Sequence, residues 1–202
     1  MTTPISERLD AAARQAVPVV RGVDDDRLGD PTPCAEYTVR DLLNHLFHVV
    51  VGFRSIAARE DADFTTTPDY LDRDWRSRFA EETGRLVAAW GVPGADEGVA
   101  GSMNLPARTL GSMALLDLTV HAWDLARATG QEFTPDAESI RTLDRLIEET
   151  GPTARKMKVF GEPVAVPEGA APLEVLLAAT GRDPGWSPGP VPDVYSHHEY
   201  GA

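Results

Sequence analysis

One segment of this chain, Leu110 to Thr129, has an apolar stripe at helical spacing that polar residues interrupt. At about 100° per residue, one half of the helix surface carries Leu110, Met113, Ala114, Asp117, Val120, His121, Asp124, Leu125 and Ala128. Asp117, His121 and Asp124 therefore point towards the core of the protein. Burying such a group without a partner costs several kcal/mol, so we expect the fold to supply partners for all three.

The spacing of these polar residues limits what they can do. Asp117 and His121 are four residues apart, so they lie one above the other on the predicted helix. A carboxylate and an imidazole at this spacing can bind one cation together, or can bind each other. Asp124 can hold an imidazole N–H in place or pair with an arginine such as Arg127. The pattern leaves open which of the two carboxylates is the metal ligand.

The composition is that of an ordinary globular protein. A chain of 202 residues can form one domain with a substantial core, and 42% hydrophobic with 25% charged residues is typical of neither disordered nor membrane-embedded chains. The apolar runs are too short to span a bilayer, and the first residues lack the pattern of a signal peptide, so we expect a cytoplasmic protein without a membrane partner. A net charge of −13 without a basic cluster disfavours nucleic-acid binding.

The chain has a single cysteine, Cys34. This excludes an internal disulfide and a zinc site built from several thiolates, so a metal would have to bind histidine and carboxylate. Cys34 itself is either a small buried loop residue, which we favour, or a reactive thiol just before the helix that Thr38 begins.

Apolar periodicity and capping residues predict five main helices and one short helix. The first helix runs from Thr3-Pro4 to Pro18, and the second begins at Thr38, where Thr38 and Asp41 resemble a capping box. The others run from Tyr70 to Trp90, from Leu110 to Thr129, from Thr134-Pro135 to about Thr150, and from Pro172 to Thr180. Gly130 follows the fourth helix. Strand signals are confined to 159–160 and 164–166, so we predict an all-α fold, a helical bundle with long crossover loops. We expect residues 1–150 to form this bundle and residues 151–202 to form a short, mostly irregular tail packed on it, with a mobile end.

The second predicted helix supplies a further inward polar residue, His45, in the middle of its apolar stripe. If this helix faces the Leu110–Thr129 helix, His45, Asp117 and His121 converge. Two imidazoles and one carboxylate leave coordination positions open, as sites for Zn²⁺, Ni²⁺ or Fe²⁺ do. The alternative is an Asp–His hydrogen-bond network without metal. Of the remaining histidines, we expect His48 at the surface or rim of the bundle and His197 and His198 at an exposed chain end. Of the tryptophans, we expect Trp186 to anchor the tail and the others to pack in the core or at its rim, namely Trp75, Trp90 and Trp123.

Three segments resemble a known family. TPCAEYTVRDLLNHLFH (32–48), LDLTVHAWDLARATG (116–130) and VFGEPVAVPEGAAPLEVLLAATGRDPGW (159–186) are similar to small actinobacterial proteins of the DinB-like superfamily, related to the N-terminal domain of mycothiol-dependent maleylpyruvate isomerase. The resemblance implies a four-helix bundle with a divalent metal held by His45, Asp117 and His121. At the position of Asp117 the family more often has His or Glu. At the position of Tyr37 we would expect Trp in this family. The tail is shorter than the C-terminal domain of the isomerases, so their specific activity is not carried over.

The function that this resemblance implies is that of a metal-dependent transferase or isomerase acting with a small thiol. Zn²⁺ or Ni²⁺ would lower the pKa of a thiol such as mycothiol, and the thiolate would attack a small electrophilic substrate. Cys34 would not be the nucleophile, Asp124 would support the ligands, and Arg127 at the pocket mouth would bind an anionic substrate or cofactor. A homodimer is one assembly that we consider. The alternative function is a non-catalytic binding or regulatory bundle whose His and Asp residues form a structural or vestigial site.

Overall fold

The structure, a computed structural model, describes residues 3–102 and 104–189. The expectations for His197 and His198, and for a mobile chain end, lie outside the described residues. The predicted all-α fold is confirmed. The helices are α1 (Ile5–Arg21), α2 (Val39–Ala57), α3 (Trp75–Trp90), α4 (Ala107–Thr129), α5 (Ala137–Lys156) and α6 (Pro172–Ala179), with a short 3-10 turn at Asp25–Arg27.

Four of these helices enclose the main core. α1 and α2 each pack against both α3 and α4, so the four form a closed bundle. α5 packs outside this bundle on α4 and α1, and α6 packs on α5. The core contains large aliphatic and aromatic side chains, including Leu9, Leu46, Phe47, Phe79, Leu86, Leu115, Trp75, Trp90 and Trp123. The packing role predicted for those three tryptophans is therefore confirmed.

A small hairpin lies between α3 and α4. Its strands β1 (Val99–Ala100) and β2 (Leu105–Pro106) are antiparallel, with Val99 opposite Pro106 and Ala100 opposite Leu105. The sequence placed its strand signals in the tail instead, at 159–160 and 164–166, and this was wrong for the described residues. The tail backbone bonds to the end of α6 rather than to a strand, since the amide of Val164 donates to the carbonyl of Ala178.

Two predicted helix ends were misplaced at prolines. α1 continues past Pro18 to Arg21, because Val19 and Val20 are buried and extend its apolar stripe. α5 likewise continues through Pro152 to Lys156. In α1 burial of the following turn compensates for the single backbone hydrogen bond that proline cannot make. In α5 the residues after Pro152 are exposed or half-buried, and no such burial explains the continuation.

Two predicted helix starts were too early. α3 begins at Trp75 rather than at Tyr70, because the Tyr70 amide donates to the side chain of Asn44 at 2.7 Å instead of entering a helix. α5 begins after Asp136, whose carboxylate caps the helix by accepting from the Ser139 amide. No helix in the described part of the chain is both long and apolar enough to cross a membrane.

Candidate metal centre

A cavity of about 850 Å³ lies between α2 and α4. The loop 33–37 and the tail segments 155–162 and 180–182 also line it. The tail thus packs over part of the groove between two bundle helices. A side chain that α2 or α4 directs into this groove lines the cavity.

α2 places His45 in the wall of this cavity. The helix begins with the predicted capping box, in which Thr38 accepts from the Asp41 amide and the Asp41 carboxylate accepts from the Thr38 amide. His45 is half-buried, with the Tyr37 ring 5.4 Å from its own between centroids. The cap fixes where α2 starts and therefore which face carries His45.

α4 brings Asp117 and His121 to the same point. His45, Asp117 and His121 each offer one ligand atom, and these three atoms lie within 4.8 Å of one another. Nε2 of His121 is 3.6 Å from Oδ1 of Asp117, and the two imidazole rings meet edge to face with 4.9 Å between centroids. The spacing of three ligand-type groups on two helices therefore suits a single bound cation.

Asp124 has a different position, on the far side of the His121 ring. Its Oδ2 is 3.0 Å from Nδ1 of His121 and 3.2 Å from Nη2 of Arg182. Asp124 has no solvent exposure, and the Arg182 side chain is only 12% exposed. The arginine that pairs with Asp124 is thus Arg182 and not Arg127, which the sequence had suggested.

This contact determines which nitrogen of His121 faces the cavity. A carboxylate paired with Arg182 accepts a hydrogen bond from Nδ1–H, so the proton of a neutral His121 lies on Nδ1. Nε2 then carries a lone pair and points towards Oδ1 of Asp117. Two acceptors at 3.6 Å repel each other unless a proton or a cation lies between them. The donor set therefore fits a divalent cation with nitrogen and oxygen ligands.

The electrostatics agree with this chemistry. Burial, and then the positive charge that His121 and His48 would carry, lower the pKa of His45 from 6.5 to about 4. Burial raises the pKa of Asp117, although His121 and Arg182 act in the opposite direction. At neutral pH the imidazole of His45 is therefore unprotonated. Asp117 is a carboxyl group whose ionised form needs a nearby positive charge.

His48 was assigned wrongly to the surface or rim. It is 9% exposed, and its Nδ1 is 3.1 Å from the Tyr70 hydroxyl. One turn after His45, it is rotated by about 60° around α2 towards the chain that leads into α3. α2 is buried on two sides, against α3 and α4, so its inward face is wider than a single stripe predicts.

The structure favours one of the two alternatives for Cys34. It is half-buried in the cavity wall, and burial raises the pKa of its thiol, which disfavours a reactive thiolate. Arg127 is exposed and does not line the cavity. Its Nε donates to the carbonyl of Trp186 at 3.2 Å, which ties the half-buried Trp186 to α4 as the tail anchor that the sequence predicted.

Sequence reasoning missed three cationic residues of the cavity, Arg155, Lys158 and Arg182. They lie in the last turn of α5 and in the irregular tail, where no periodicity shows which way a side chain points. The segment that contains Arg182 was part of the resemblance. The net charge of −13 also gives no sign of a local group of cations.

Comparisons with known proteins show which family the chain belongs to. Residues 9–126 match the family described as the mycothiol maleylpyruvate isomerase N-terminal domain. Two uncharacterised proteins of Mycobacterium tuberculosis, one from each of two strains, are 30% identical to the chain over 171 residues, which cover 81% of this chain and 90% of each relative. A crystal structure of the mycothiol-dependent maleylpyruvate isomerase aligns with a TM-score of 0.47 at 20% identity, covering 71% of this chain and 70% of that one. Because the family match spans more than half of its residues, this chain belongs to the family of mycothiol maleylpyruvate isomerase N-terminal domains.

Proposed function

We propose that this protein binds a divalent metal ion at His45, Asp117 and His121 and is a thiol-dependent transferase or isomerase. The observation that carries the proposal is the convergence of three ligand atoms within 4.8 Å in the wall of a cavity. Zn²⁺ and Ni²⁺ suit two imidazoles and a carboxylate. Such an ion lowers the pKa of a bound thiol and so makes a thiolate available at neutral pH.

The protein's own residues prepare this site. His45 is neutral at physiological pH, so its lone pair is free for a ligand. Asp124 accepts from Nδ1–H of His121, and Arg182 donates to the same carboxylate oxygen of Asp124. Asp124 and Arg182 are not proposed as ligands, but they fix the orientation of the His121 ring, which would otherwise rotate.

Mycothiol, or a small thiol of similar chemistry, is the proposed cosubstrate, because the family and the aligned relative are named for it. A cavity of about 850 Å³ falls in the range of sites that hold small molecules, and it has room for a thiol beside an electrophile. Cys34 is not the nucleophile in this proposal. The cations that line the cavity, Arg155, Lys158 and Arg182, are better placed for an anionic group than Arg127.

The relation of the tail to the bundle, the cellular location and the assembly of the protein also belong to what we propose or predict. We propose that the bundle and the tail act as one unit, because the tail lines the cavity and Arg182 pairs with Asp124, which contacts the proposed ligand His121. A cytoplasmic location and a homodimer stay predictions.

The test is metal content followed by activity. The untagged protein and its His45→Ala and His121→Ala variants are analysed for bound metal after dialysis against Zn²⁺ or Ni²⁺, with His48→Asn as a matched control on the same helix. The proposal expects stoichiometric metal in the wild type and the control and its loss in the other two. It also expects metal-dependent addition of mycothiol to an electrophile. Equal metal in all four proteins would contradict it.

One observation favours the non-catalytic alternative. The raised pKa of Asp117 favours a protonated carboxyl group, and its proton can be donated to Nε2 of His121, which satisfies the pair without metal. A structural network of this kind predicts a melting temperature that neither a chelator nor added Zn²⁺ or Ni²⁺ changes. A bound ion stabilises the fold by ligand linkage, so a rise on adding metal excludes this alternative.

A further inference from the structure

We propose that one end of the cavity binds an extended apolar group, which, if the proposed function holds, belongs to the electrophilic substrate. The substrates would then be amphipathic electrophiles rather than small, wholly polar acids. Three features of the described residues carry this inference: an apolar trough that begins at the candidate ligands, an aromatic side wall, and a polar opposite end.

The trough follows a stripe of α2 away from His45. Val49, Phe53 and Ile56 succeed His45 at intervals of about one turn, and all three line the cavity. Ile56 follows His45 by eleven positions, which correspond to a rise of about 16 Å along the helix. The α2 side of the cavity wall is therefore apolar over roughly three turns beyond His45.

The facing stripe of α4 runs in the opposite direction. From His121 and Asp117 it continues through Met113 to Leu110, and these residues line the same cavity. The two stripes meet again at the hairpin. A Cβ on Gly101 would lie 3.6 Å from Cδ1 of Leu110 and 3.8 Å from Cδ1 of Ile56. The trough thus has ligand-type groups at one end and a closed apolar end at the hairpin.

Phe64 forms a side wall of the trough. Its ring centroid is 5.4 Å from that of Phe53 and 5.7 Å from that of His48, yet the residue is 43% exposed. The ring sits in a notch at Gly52, where a Cβ would come within 2.5 Å of it. An exposed aromatic ring over an apolar cavity gains free energy when an apolar ligand covers its inner surface.

The other end of the cavity is polar and carries both signs of charge. Arg182 lies there beside Asp124, and the backbone at Gly161 bonds to Thr180 and so brings the segment 155–162 to the same end. Arg155, Lys158 and Glu162 of this segment also line the cavity, as does Glu36 of the loop 33–37. Mixed charges suit a hydroxylated or charged molecule such as a sugar-linked thiol. The candidate ligands lie between the two ends, where the two substrates would meet.

An α,β-unsaturated carbonyl compound with an alkyl chain illustrates the reaction. The thiol sulfur forms a bond to the β-carbon, the π electrons of the C=C bond move to the α-carbon, and the α-carbon takes the proton that the thiol lost. The product is a saturated carbonyl thioether, and no oxidant or reductant is required.

The experiment measures binding and turnover separately. Saturated methyl ketones of increasing chain length are titrated into the metal-free protein by calorimetry, because they bind without reacting. We expect the Kd to fall about two- to fourfold for each added methylene until the trough is full. With the metal-loaded protein and mycothiol, kcat/KM for unsaturated aldehydes of the same lengths should rise in parallel.

Variants test whether the trough is the binding site. Met113→Trp fills the trough and should abolish the dependence on chain length, whereas Met157→Trp, at an exposed position outside the cavity lining, should keep it. Phe64→Ala removes the exposed side wall and should weaken binding of the longest ketone severalfold. It provides a second test if Met113→Trp fails to fold.

The outcomes separate this inference from the proposed function. Binding that is independent of chain length, or equal in wild type, Met113→Trp and Phe64→Ala, overturns the inference even if mycothiol adds to small polar electrophiles. Binding that depends on chain length in the metal-free protein supports the inference, even if the loaded protein shows no thiol transfer and the proposed function is abandoned.

Discussion

Asp117 and Asp124 lie about two turns apart on the same face of α4, but they contact different groups. Asp124 has no exposure and meets a guanidinium and an imidazole N–H, both of which stabilise a carboxylate. Asp117 is 26% exposed, towards the cavity, and lies close to the imidazoles of His45 and His121. One carboxylate therefore stabilises the folded chain by itself, whereas the other gains from a cation.

Replacing each carboxylate by its amide should separate these roles. Asp124→Asn leaves Arg182 buried without its partner and should lower the free energy of unfolding of the metal-free protein by about 3 kcal/mol. Asp117→Asn removes a poorly solvated carboxylate and should leave this free energy unchanged or slightly higher. The measurement is urea unfolding in the presence of chelator. Equal destabilisation by the two changes would contradict the assignment.

The same pair should differ in metal affinity. Asp117→Asn removes a ligand, and Asp124→Asn removes only the group that orients His121, so we expect a loss of about 10- to 100-fold for Asp124→Asn and a larger loss for Asp117→Asn. Titration with Zn²⁺ against a competing chelator measures both. A larger effect at Asp124 would make it the ligand.

His45 should make the stability of the metal-free protein depend on pH. Its pKa is about 4 in the fold and near 6.5 in the unfolded chain, so the unfolded state binds more protons between these values. The contribution of His45 to the free energy of unfolding is complete above about pH 6.5. It is lost as the pH falls to about 4, and the loss is at most about 3 kcal/mol. His45→Gln should flatten the dependence over this window in urea unfolding with chelator. An identical slope in both proteins would contradict the account.

At the scale of the helices, those helix ends that depend only on neighbouring residues could be predicted. The capping box of Thr38 and the left-handed Gly130 after α4 follow from residue type alone, and both are present. The continuation of α1 past Pro18 could not be predicted, because tertiary burial of Val19 and Val20 outweighs the lost hydrogen bond. The continuation of α5 through Pro152 has no such explanation, because the residues after Pro152 are exposed or half-buried.

The same distinction applies to the candidate site. His45, Asp117 and His121 lie on helices, where a period of 3.6 residues predicts which side chains face inward, and the structure brings their ligand atoms together. Arg182 is 58 residues from Asp124 in an irregular segment, so no pattern predicts their contact. His48 was missed because a single stripe does not describe a helix packed on two sides.

Two glycines test how tightly the helices pack. A Cβ on Gly111 in α4 would lie 2.9 Å from Cγ1 of Ile5 and 3.2 Å from Cε3 of Trp90, so Gly111→Ala should lower the free energy of unfolding by about 1–3 kcal/mol. Gly84 on the exposed side of α3 has nothing within 4 Å of such a Cβ, so Gly84→Ala should raise it by up to about 1 kcal/mol. Denaturant unfolding of the two variants is the measurement. Stabilisation by both would show that α1 and α4 are further apart than described.

At the scale of the whole molecule, the tail completes the cavity. It crosses itself where Gly181 meets Gly161, with φ +88° at Gly181 and only 2.6 Å between a Cβ built there and Cα of Gly161. Only glycine allows both this conformation and this close approach. The crossing places Arg182 next to Asp124, and the tail is thereby coupled to the candidate ligands.

Gly181→Ala should therefore loosen the tail. We expect a loss of about 2 kcal/mol in the free energy of unfolding and faster tryptic cleavage after Lys158 and Arg182, because strain and overlap at residue 181 displace the segment. Gly189→Ala, where nothing lies within 4 Å of the added Cβ, is the matched control and should behave as wild type. Cleavage at wild-type rates in Gly181→Ala would show that the crossing does not hold the tail.

Binding of one metal ion by His45, Asp117 and His121 can be seen in an anomalous difference map at the zinc edge. The crystals are grown with Zn²⁺ from a His197→Ala/His198→Ala variant, so that those histidines cannot take the ion. We expect a peak about 2.0–2.1 Å from a nitrogen of His45 and of His121 and about 2.0–2.2 Å from an oxygen of Asp117. A map with zinc bound elsewhere and no peak among these three side chains would contradict it.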